Sequence, residues 1–469
     1  MDEKSITTRQ KALRINLDER KYGTIVEIGA GQEVAREFFR AGAAAGTIAK
    51  TMSAYDMQFS NAIYGEDASG RFVCRSRLFV MLEREFGLVI ERVRDSRPKT
   101  STFFAYAATV AAKSFNRDHE CHAWCGIRLQ LYPEAPPSDI VIHVRMLDKD
   151  ANQQQEALGV VGVNLIYGAY YLFDSPRKLI DSLTEGLEEG RVEIDSIEFF
   201  GPYFEDLDNR TLNLHLIRSW KTRAIMFNPN GKVRVPAELL YKKNVLVTRG
   251  SFKPYTLINA DMMQQGFKEF MQISGITPEN TLLLAEITMN QLVGNNENIE
   301  EDDFVERVDQ LSALGYHVLI SDYVRYFSLR AYFRQFTKKY IGMVLGMDSL
   351  RRIFNEDFYR GVEGGILEGF GKLFPDNTII YAYPEKGKDG QEVNYENIQI
   401  PEHLQYLYKH LVQNGFIRGI HDSNSELFDI FSRDVLNEIQ QNISGWEEKV
   451  PEPIAALIKE RKLFGLNSR

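Results

Sequence analysis

The sequence predicts an α/β protein in two parts: a mixed α+β region, then a mainly parallel sheet with a helical C-terminal extension. Three observations predict it. The chain has 469 residues, beyond the roughly 250–300 at which a single core stops growing. Its first half mixes strand pairs with helices, whereas from residue 244 apolar runs alternate with amphipathic ones. Hydrophobic residues make up 44% and charged residues 26%, the balance of a folded chain rather than a disordered one.

Taken in order, "TIVEIGAG" (24–31) reads as a buried strand, and 32–57 reads as helical with glycines marking a break or close packing. The segments 126–132 and 139–147 are β-like and joined by the turn-rich "PEAPPS", which predicts an antiparallel pair. The uncharged run 157–173 contains Gly159, Gly162, Asn164 and Gly168; it is shorter than the ~20 apolar residues needed to span a bilayer and reads as core. A helix over 176–188 precedes a strand over 191–201, and "NPNGK" (228–232) is a strong turn.

Beyond it, strands are expected at 244–248, 281–287, 317–322, 340–346 and 378–384. Their nearly continuous apolar character and the amphipathic segments between them predict a parallel, Rossmann-like sheet covered by helices. The acidic stretch 295–315 reads as a loop and then a helix ending at Gly315, and the tail from 400 reads as helical. The expected domains are 1–240, 241–400 and 401–469.

A net charge of −9 disfavours a broad surface for nucleic acid or an anionic membrane, and leaves room for a local basic pocket that takes a small anion. Three cysteines, Cys74, Cys121 and Cys125, are too few for a disulfide framework and fit a reducing cytoplasm. The charged N-terminal stretch lacks the apolar run of a secretory signal. A cytoplasmic location follows as the expectation, with self-association into a homo-oligomer left open.

The segment "VLVTRGSFKPYTLINADMM" (245–263) runs a strand through a Gly-Ser turn into a helix. A phosphate suits such a corner, because free backbone N–H groups and the helix dipole converge on it. Gly250 and Ser251 permit close approach, Arg249 and Lys253 add positive charge, and Thr256 and Asn259 fall over the first helical turn. Here the chain resembles the nicotinamide mononucleotide adenylyltransferases and the wider nucleotidylyltransferase superfamily. Those enzymes carry G-S-F-N-P, then His or Thr, two residues and a second His, directly after the first strand of a Rossmann-like domain.

Gly250, Ser251, Phe252 and Pro254 match; Lys253 replaces the Asn, Thr256 takes the first His/Thr position and Asn259 takes the second His position. In the family that His stabilises charge developing on the triphosphate, whereas neutral Asn can hydrogen-bond but carries no proton. The family's later I-S-S-T-x-x-R signature is missing; "MDSLRRIF" (347–354) and "YFSLRAYF" (326–333) carry Ser and Arg after strands without its spacing. The resemblance covers about fifteen residues, and the chain is also similar to a bacterial family often labelled nicotinamide mononucleotide adenylyltransferase. It implies ATP with Mg2+ over 249–259, a mononucleotide phosphate attacking the α-phosphorus in line, and Thr256 and Asn259 at the catalytic positions.

Glu286 and Asp322 each lie near the carboxyl end of an expected parallel strand, the edge where such sheets bind ligands. They join Arg249, Gly250, Ser251, Phe252 and Lys253 as candidate nucleotide-binding residues.

Elsewhere, "RDHECHAWCGIR" (117–128) packs Asp118, His119, Glu120, Cys121, His122 and Cys125 together. These are metal-ligand types at interleaved spacings that need a distant partner such as His143. Gly29-Ala30-Gly31 resembles a dinucleotide turn whose third glycine is replaced by Val34, and Lys50-Thr51 resembles a P-loop without its preceding glycine. In the acidic run 193–210, alternation along the expected strand places Glu193, Asp195 and Ser196 on differing faces, and acidic loops of this kind are usually solvated, so a magnesium role has no support there.

Three functional readings follow. The first is a nucleotide-binding, nucleotidylyltransferase-like protein acting on a small-molecule nucleotide. The second is a cytoplasmic enzyme with a His/Cys site around 119–125. The third is a non-catalytic binding or assembly protein on a nucleotide fold.

Overall fold

Apolar strands build one large sheet in each of two units, residues 1–222 and 223–469. The computed structural model describes residues 6–114, 120–293, 299–375 and 377–466. The division falls earlier than 240 because Ala224–Phe227 pairs antiparallel with His317–Ser321 and so belongs to the second sheet.

The first unit runs α1 (Thr8–Asn16), β1 (Lys21–Gly29), α2 (Glu33–Ala41), β2 (Ile48–Ala54), α3 (Met57–Tyr64), α4 (Arg75–Val93), β3 (Thr102–Ala111), β4 (His122–Leu129), β5 (Ser138–Met146), α5 (Ala151–Tyr171), α6 (Pro176–Ser182), β6 (Val192–Phe200) and α7 (Asn209–Arg218). Its sheet has the order β2-β1-β3-β4-β5-β6. β1 is parallel to both neighbours, and the ladders from β3 to β6 are antiparallel. Residues of α1, α2 and α5 share one core with Ile25, Tyr106, Cys125 and Ile142, whereas Phe86 and Val89 of α4 pack with Phe103 and Ala105 on the opposite face.

The run 157–173 lies largely in α5, a buried helix. A Cβ on Gly162 would lie 2.3 Å from Val34 and one on Gly159 2.7 Å from Glu33, so these glycines set the close approach of α5 to α2. The helical reading of 32–57 is corrected. α2 stops at Gly42, whose φ of +88° ends the helix, and 48–54 is strand β2, paired parallel to β1.

The second unit runs β7 (Ala224–Phe227), β8 (Val233–Arg234), α8 (Pro236–Leu239), β9 (Asn244–Arg249), α9 (Leu257–Met271), β10 (Thr281–Thr288), α10 (Met289–Val293), α11 (Glu301–Ala313), β11 (His317–Ser321), α12 (Tyr326–Phe336), β12 (Ile341–Gly346), α13 (Met347–Ile353), α14 (Gly365–Leu373), β13 (Thr378–Tyr383), the small hairpin β14 (Glu385–Lys386) and β15 (Glu392–Val393), α15 (Gln405–Gln413), β16 (Ile417–Gly419), α16 (Ser432–Gln440) and α17 (Glu452–Arg461). The expected loop at 295–298 lies outside the described residues.

The sheet order is β16-β13-β12-β9-β10-β11-β7-β8. The six strands from β16 to β11 are mutually parallel, and numbered by chain order they read 6-5-4-1-2-3, the doubly wound order. Val245, Val247, Met343 and Ile380 face a core shared with α12 to α15, while Leu246, Val344 and Tyr381 face α9. Burial on both faces explains why these strands are apolar throughout. The tail is not wholly helical, because β16 adds a strand beside β13. Among the described residues no helix is long and apolar enough to cross a membrane.

Candidate functional site

β9 ends on Arg249, which the ladder sets beside Glu286 of β10. The two form a bidentate pair, Nε to Oε2 and Nη2 to Oε1, both 2.9 Å. Arg249 also donates to the carbonyls of Tyr323 and Val324, each at 2.7 Å, and Ser321 Oγ donates to Glu286 Oε1 at 2.6 Å. Glu286 is fully buried. Burial opposes the Arg249 charge, but the adjacent Glu286 carboxylate outweighs it and holds the guanidinium above its ordinary pKa.

The Gly250 corner is packed from within. The Gly250 amide donates to the Glu286 carbonyl at 3.1 Å, and the ring of Phe252 lies where a Gly250 side chain would go, 2.7 Å from an added Cβ. Phe252, at φ +48°, and Tyr255 are buried. α11 holds the corner from outside. Arg307 donates to the Ser251 carbonyl at 3.2 Å, Gln310 bonds the Phe252 carbonyl, and the Tyr255 amide donates to Gln310 Oε1 at 2.8 Å. Lys253 is paired with Asp303 at 2.8 Å.

Thr256 and Asn259 form the N-terminal cap of α9. The Asn259 side-chain oxygen accepts from the Thr256 amide at 3.0 Å and from its hydroxyl at 2.9 Å, which satisfies a donor at the helix start. Thr256 is fully buried. Asp322 pairs with Arg223 at 3.2 Å. Of the sequence-derived candidates, the structure brings Arg249, Glu286 and the Gly250 amide into direct contact. It commits Lys253, Thr256, Asn259 and Asp322 to other partners, and leaves Ser251 exposed.

The cavity at this edge lies beside the corner. A pocket of about 220 Å³ is lined by Arg249, Thr288, Asn290, Arg325, Tyr326, Phe327, Ser349, Arg352, Phe358 and Tyr359, among others. These residues come from the carboxyl ends of β9 and β10, the segment after β11, helix α13 after β12 and the turn Glu356–Tyr359 that follows α13. β9 and β12 are neighbours whose connections leave in opposite directions, which makes this the switch point of the sheet.

Among the described residues no carboxylate lines the pocket. Arg325 donates to the Arg360 carbonyl at 2.9 Å, and among the described residues neither Arg325 nor Arg352 pairs with a carboxylate. Ser349 and Arg352 sit three residues apart on α13, on one face of the helix. Phe327 and Tyr359 stack with centroids 6.0 Å apart at 21°. Burial raises the Tyr326 phenol, against the lowering effect of Arg249 and of its bond to Ser349; Arg249 lies 4.4 Å above the Tyr326 ring. Ser349 and Arg352 stand in "MDSLRRIF", which together with "YFSLRAYF" is set aside for lacking the signature's spacing, although both segments follow expected strands whose carboxyl ends share an edge with Arg249.

In the first unit, His119 and Asp118 lie outside the described residues. His122 and Cys125 stand three positions apart on β4 and therefore face opposite sides of the sheet. Cys125 is in the helix-covered core, where burial pushes its thiol up to about 12. Cys121 packs, partly buried, against that core. Among the described residues no group of three His, Cys, Asp or Glu side chains is placed to hold a metal ion.

A chain of three side chains forms instead. Asp195 Oδ1 lies 2.5 Å from His143 Nδ1, and His143 Nε2 lies 2.9 Å from His122 Nδ1. His143 and Asp195 are buried, while His122 is partly exposed. Glu120 and Glu193 flank it through Arg145.

The Gly29-Ala30-Gly31 turn is also closed. Glu27 accepts from the amides of Val34 at 3.3 Å and Ala35 at 3.2 Å, so its own carboxylate occupies the start of α2 where a dinucleotide phosphate would sit. Lys50 pairs with Glu85 at 2.5 Å, and no phosphate loop forms around it.

No family model matches the chain, and no curated protein matches it. Among solved structures it is similar to the Plasmodium falciparum nicotinic acid mononucleotide adenylyltransferase complexed with APC, at 13% identity and a TM-score of 0.30, over 48% of this chain and 98% of that one. It is similar to the competence/damage inducible protein CihA from Agrobacterium tumefaciens at 14% identity and a TM-score of 0.26, over 34% and 93%. A protein assigned as a nicotinate-nucleotide adenylyltransferase from Vibrio parahaemolyticus aligns at 11% identity and a TM-score of 0.22, over 48% and 97%. Likenesses at these scores carry no weight for function.

Proposed function

We propose that the second unit binds a nucleotide in the switch-point pocket, with its phosphates on Arg325 and Arg352 and its base against the aromatic wall of Phe327 and Tyr359. One observation carries this reading: in a chain of net charge −9, a concave site at the ligand edge of a doubly wound sheet has, among the described residues, no carboxylate in its lining and two guanidinium groups, Arg325 and Arg352, that pair with none. Guanidinium forks suit phosphate oxygens, and planar rings suit a base.

Adenylyl transfer from ATP to a mononucleotide is the finer reading drawn from the sequence resemblance. It has less support, because Thr256 and Asn259 are engaged as a helix cap. Mg2+ held by the protein fits poorly as well. Glu286 is committed to Arg249 and Ser321, Asp322 to Arg223, and among the described residues no carboxylate faces the pocket, so we route no step through a metal. Binding without turnover is the form of the proposal we favour. ATP is expected to raise the unfolding temperature, whereas ATP with nicotinamide or nicotinate mononucleotide is expected to release no pyrophosphate. Pyrophosphate release would overturn the non-catalytic form, and absence of any thermal shift would overturn binding.

A second reading rests on the first unit's Asp195–His143–His122 chain. With Asp195 as acceptor, His143 donates from Nδ1 and accepts at Nε2, so His122 donates from Nδ1 and carries its lone pair on Nε2. Asp195 and His143 thereby fix the orientation of the His122 ring. Asp195→Asn is expected to disturb the tautomers of both histidines, measured by 15N chemical shifts. Unchanged ring nitrogens would remove the relay.

A further inference from the structure

We infer that the first unit carries a self-association surface along the outer edge of β2, where a second copy of this chain pairs strand to strand.

β2 is the end strand of its sheet and has β1 as its one ladder partner. Alternate N–H and C=O groups of an end strand face outward and template further pairing. Folded proteins usually blunt such edges with proline, unpaired charge or a covering segment. Here the strand IAKTMSA contains no proline, and its single charge, Lys50, is already paired with Glu85. Ala49, Lys50, Thr51 and Ser53 are exposed.

The register against β1 is irregular at Gly23/Thr24 and regular from Lys50 to Ala54, which leaves five consecutive residues in ordinary ladder geometry. A two-fold axis pairs a strand with its own reverse. Centred on Met52, that pairing sets Lys50 of one copy opposite Ala54 of the other, and Thr51 opposite Ser53. No like charges meet, and the hydroxyl residues fall together as favourable cross-strand partners. The strand is therefore complementary to itself.

The surroundings supply apolar cover. Phe39 of α2, 53% exposed, lines a groove with Met52 whose rim also carries Glu33, Arg36 and Arg40, one pair of signs able to meet the other across a two-fold axis. Tyr55, Met57 and Phe59, directly after the strand, are 77%, 52% and 61% exposed. Large apolar side chains grouped beside an open edge mark an interaction surface. A second copy covers both the edge and these side chains, and joins two six-stranded sheets into one.

The test is sedimentation of the full chain across about 1–50 μM. The expected mass is twice 53.9 kDa at the upper end of the range. Phe39→Glu with Tyr55→Glu is expected to weaken dimerisation at least tenfold while the circular dichroism spectrum is unchanged. Met52→Cys is expected to give a disulfide-linked dimer under mild oxidation that the wild-type chain does not give, because the two-fold axis sets position 52 directly opposite itself, where cross-strand Cβ atoms lie about 4.5–5.5 Å apart, near the reach of a disulfide. A monomer throughout the range overturns the inference, as does a dimer that resists the double substitution and does not cross-link through position 52.

Discussion

Glu286→Ala is expected to lower folding stability by about 3–5 kcal/mol. Arg249 is nearly enclosed, with its side chain 9% exposed, and without Glu286 its charge is left among carbonyls and the Tyr326 ring with no counterion. Removing one member of a buried pair costs far more than the pair itself contributes, since the remaining charge has lost its water without compensation. The double variant Arg249→Met with Glu286→Leu should therefore recover most of the loss. Urea unfolding of the single and double variants checks this. A loss for Glu286→Ala below about 1 kcal/mol, the range of exposed ion pairs, would show that the pair is solvated and that the wall of the pocket is misread.

Glu27 gives the second large effect, as a pH dependence. Burial raises its carboxyl to about 7 from the ordinary 4.5, against the lowering influence of the Ala35 and Val34 amides. Between those values the folded chain holds a proton that the unfolded chain has released. Stability is then fully present below pH 4.5 and falls as pH rises toward 7. The window amounts to about 3 kcal/mol at 1.36 kcal/mol per pH unit. Glu27→Gln keeps an oxygen for the amides of α2 and removes the titration. The stability of the wild-type chain is expected to fall relative to Glu27→Gln between pH 4.5 and 7. Parallel curves for the two proteins would place Glu27 in contact with water.

The central parallel strands were legible in the sequence because both their faces are buried, which turns each into a short apolar run bounded by turn residues. β2 was not legible, since an exposed edge strand of small and polar residues carries no such run, and the preceding "GAAAG" extended the helical appearance. The domain boundary slipped for a similar reason. Ala224–Phe227 is four residues long, too short for periodicity to register, and pairing with β11 decides where it belongs.

The site was legible in part. The carboxyl edge and Arg249 follow from strand direction, but local spacing does not reveal which side chains from three separate connections converge on one cavity. Thr256 and Asn259 illustrate the limit, since Thr-x-x-Asn at a helix start serves as a phosphate-facing turn or as a cap, and packing of the preceding Phe252 and Tyr255 selects the cap.

The most direct measurement is calorimetric titration of ATP into the wild-type chain, Arg352→Glu and Ser251→Trp. Binding to the wild-type chain is expected, with at least tenfold weaker binding to Arg352→Glu at retained thermal stability and little change for Ser251→Trp, because the proposed site is the switch-point pocket beside the Gly250 corner. Binding abolished by Ser251→Trp and untouched by Arg352→Glu would put the phosphates on the corner and contradict the account.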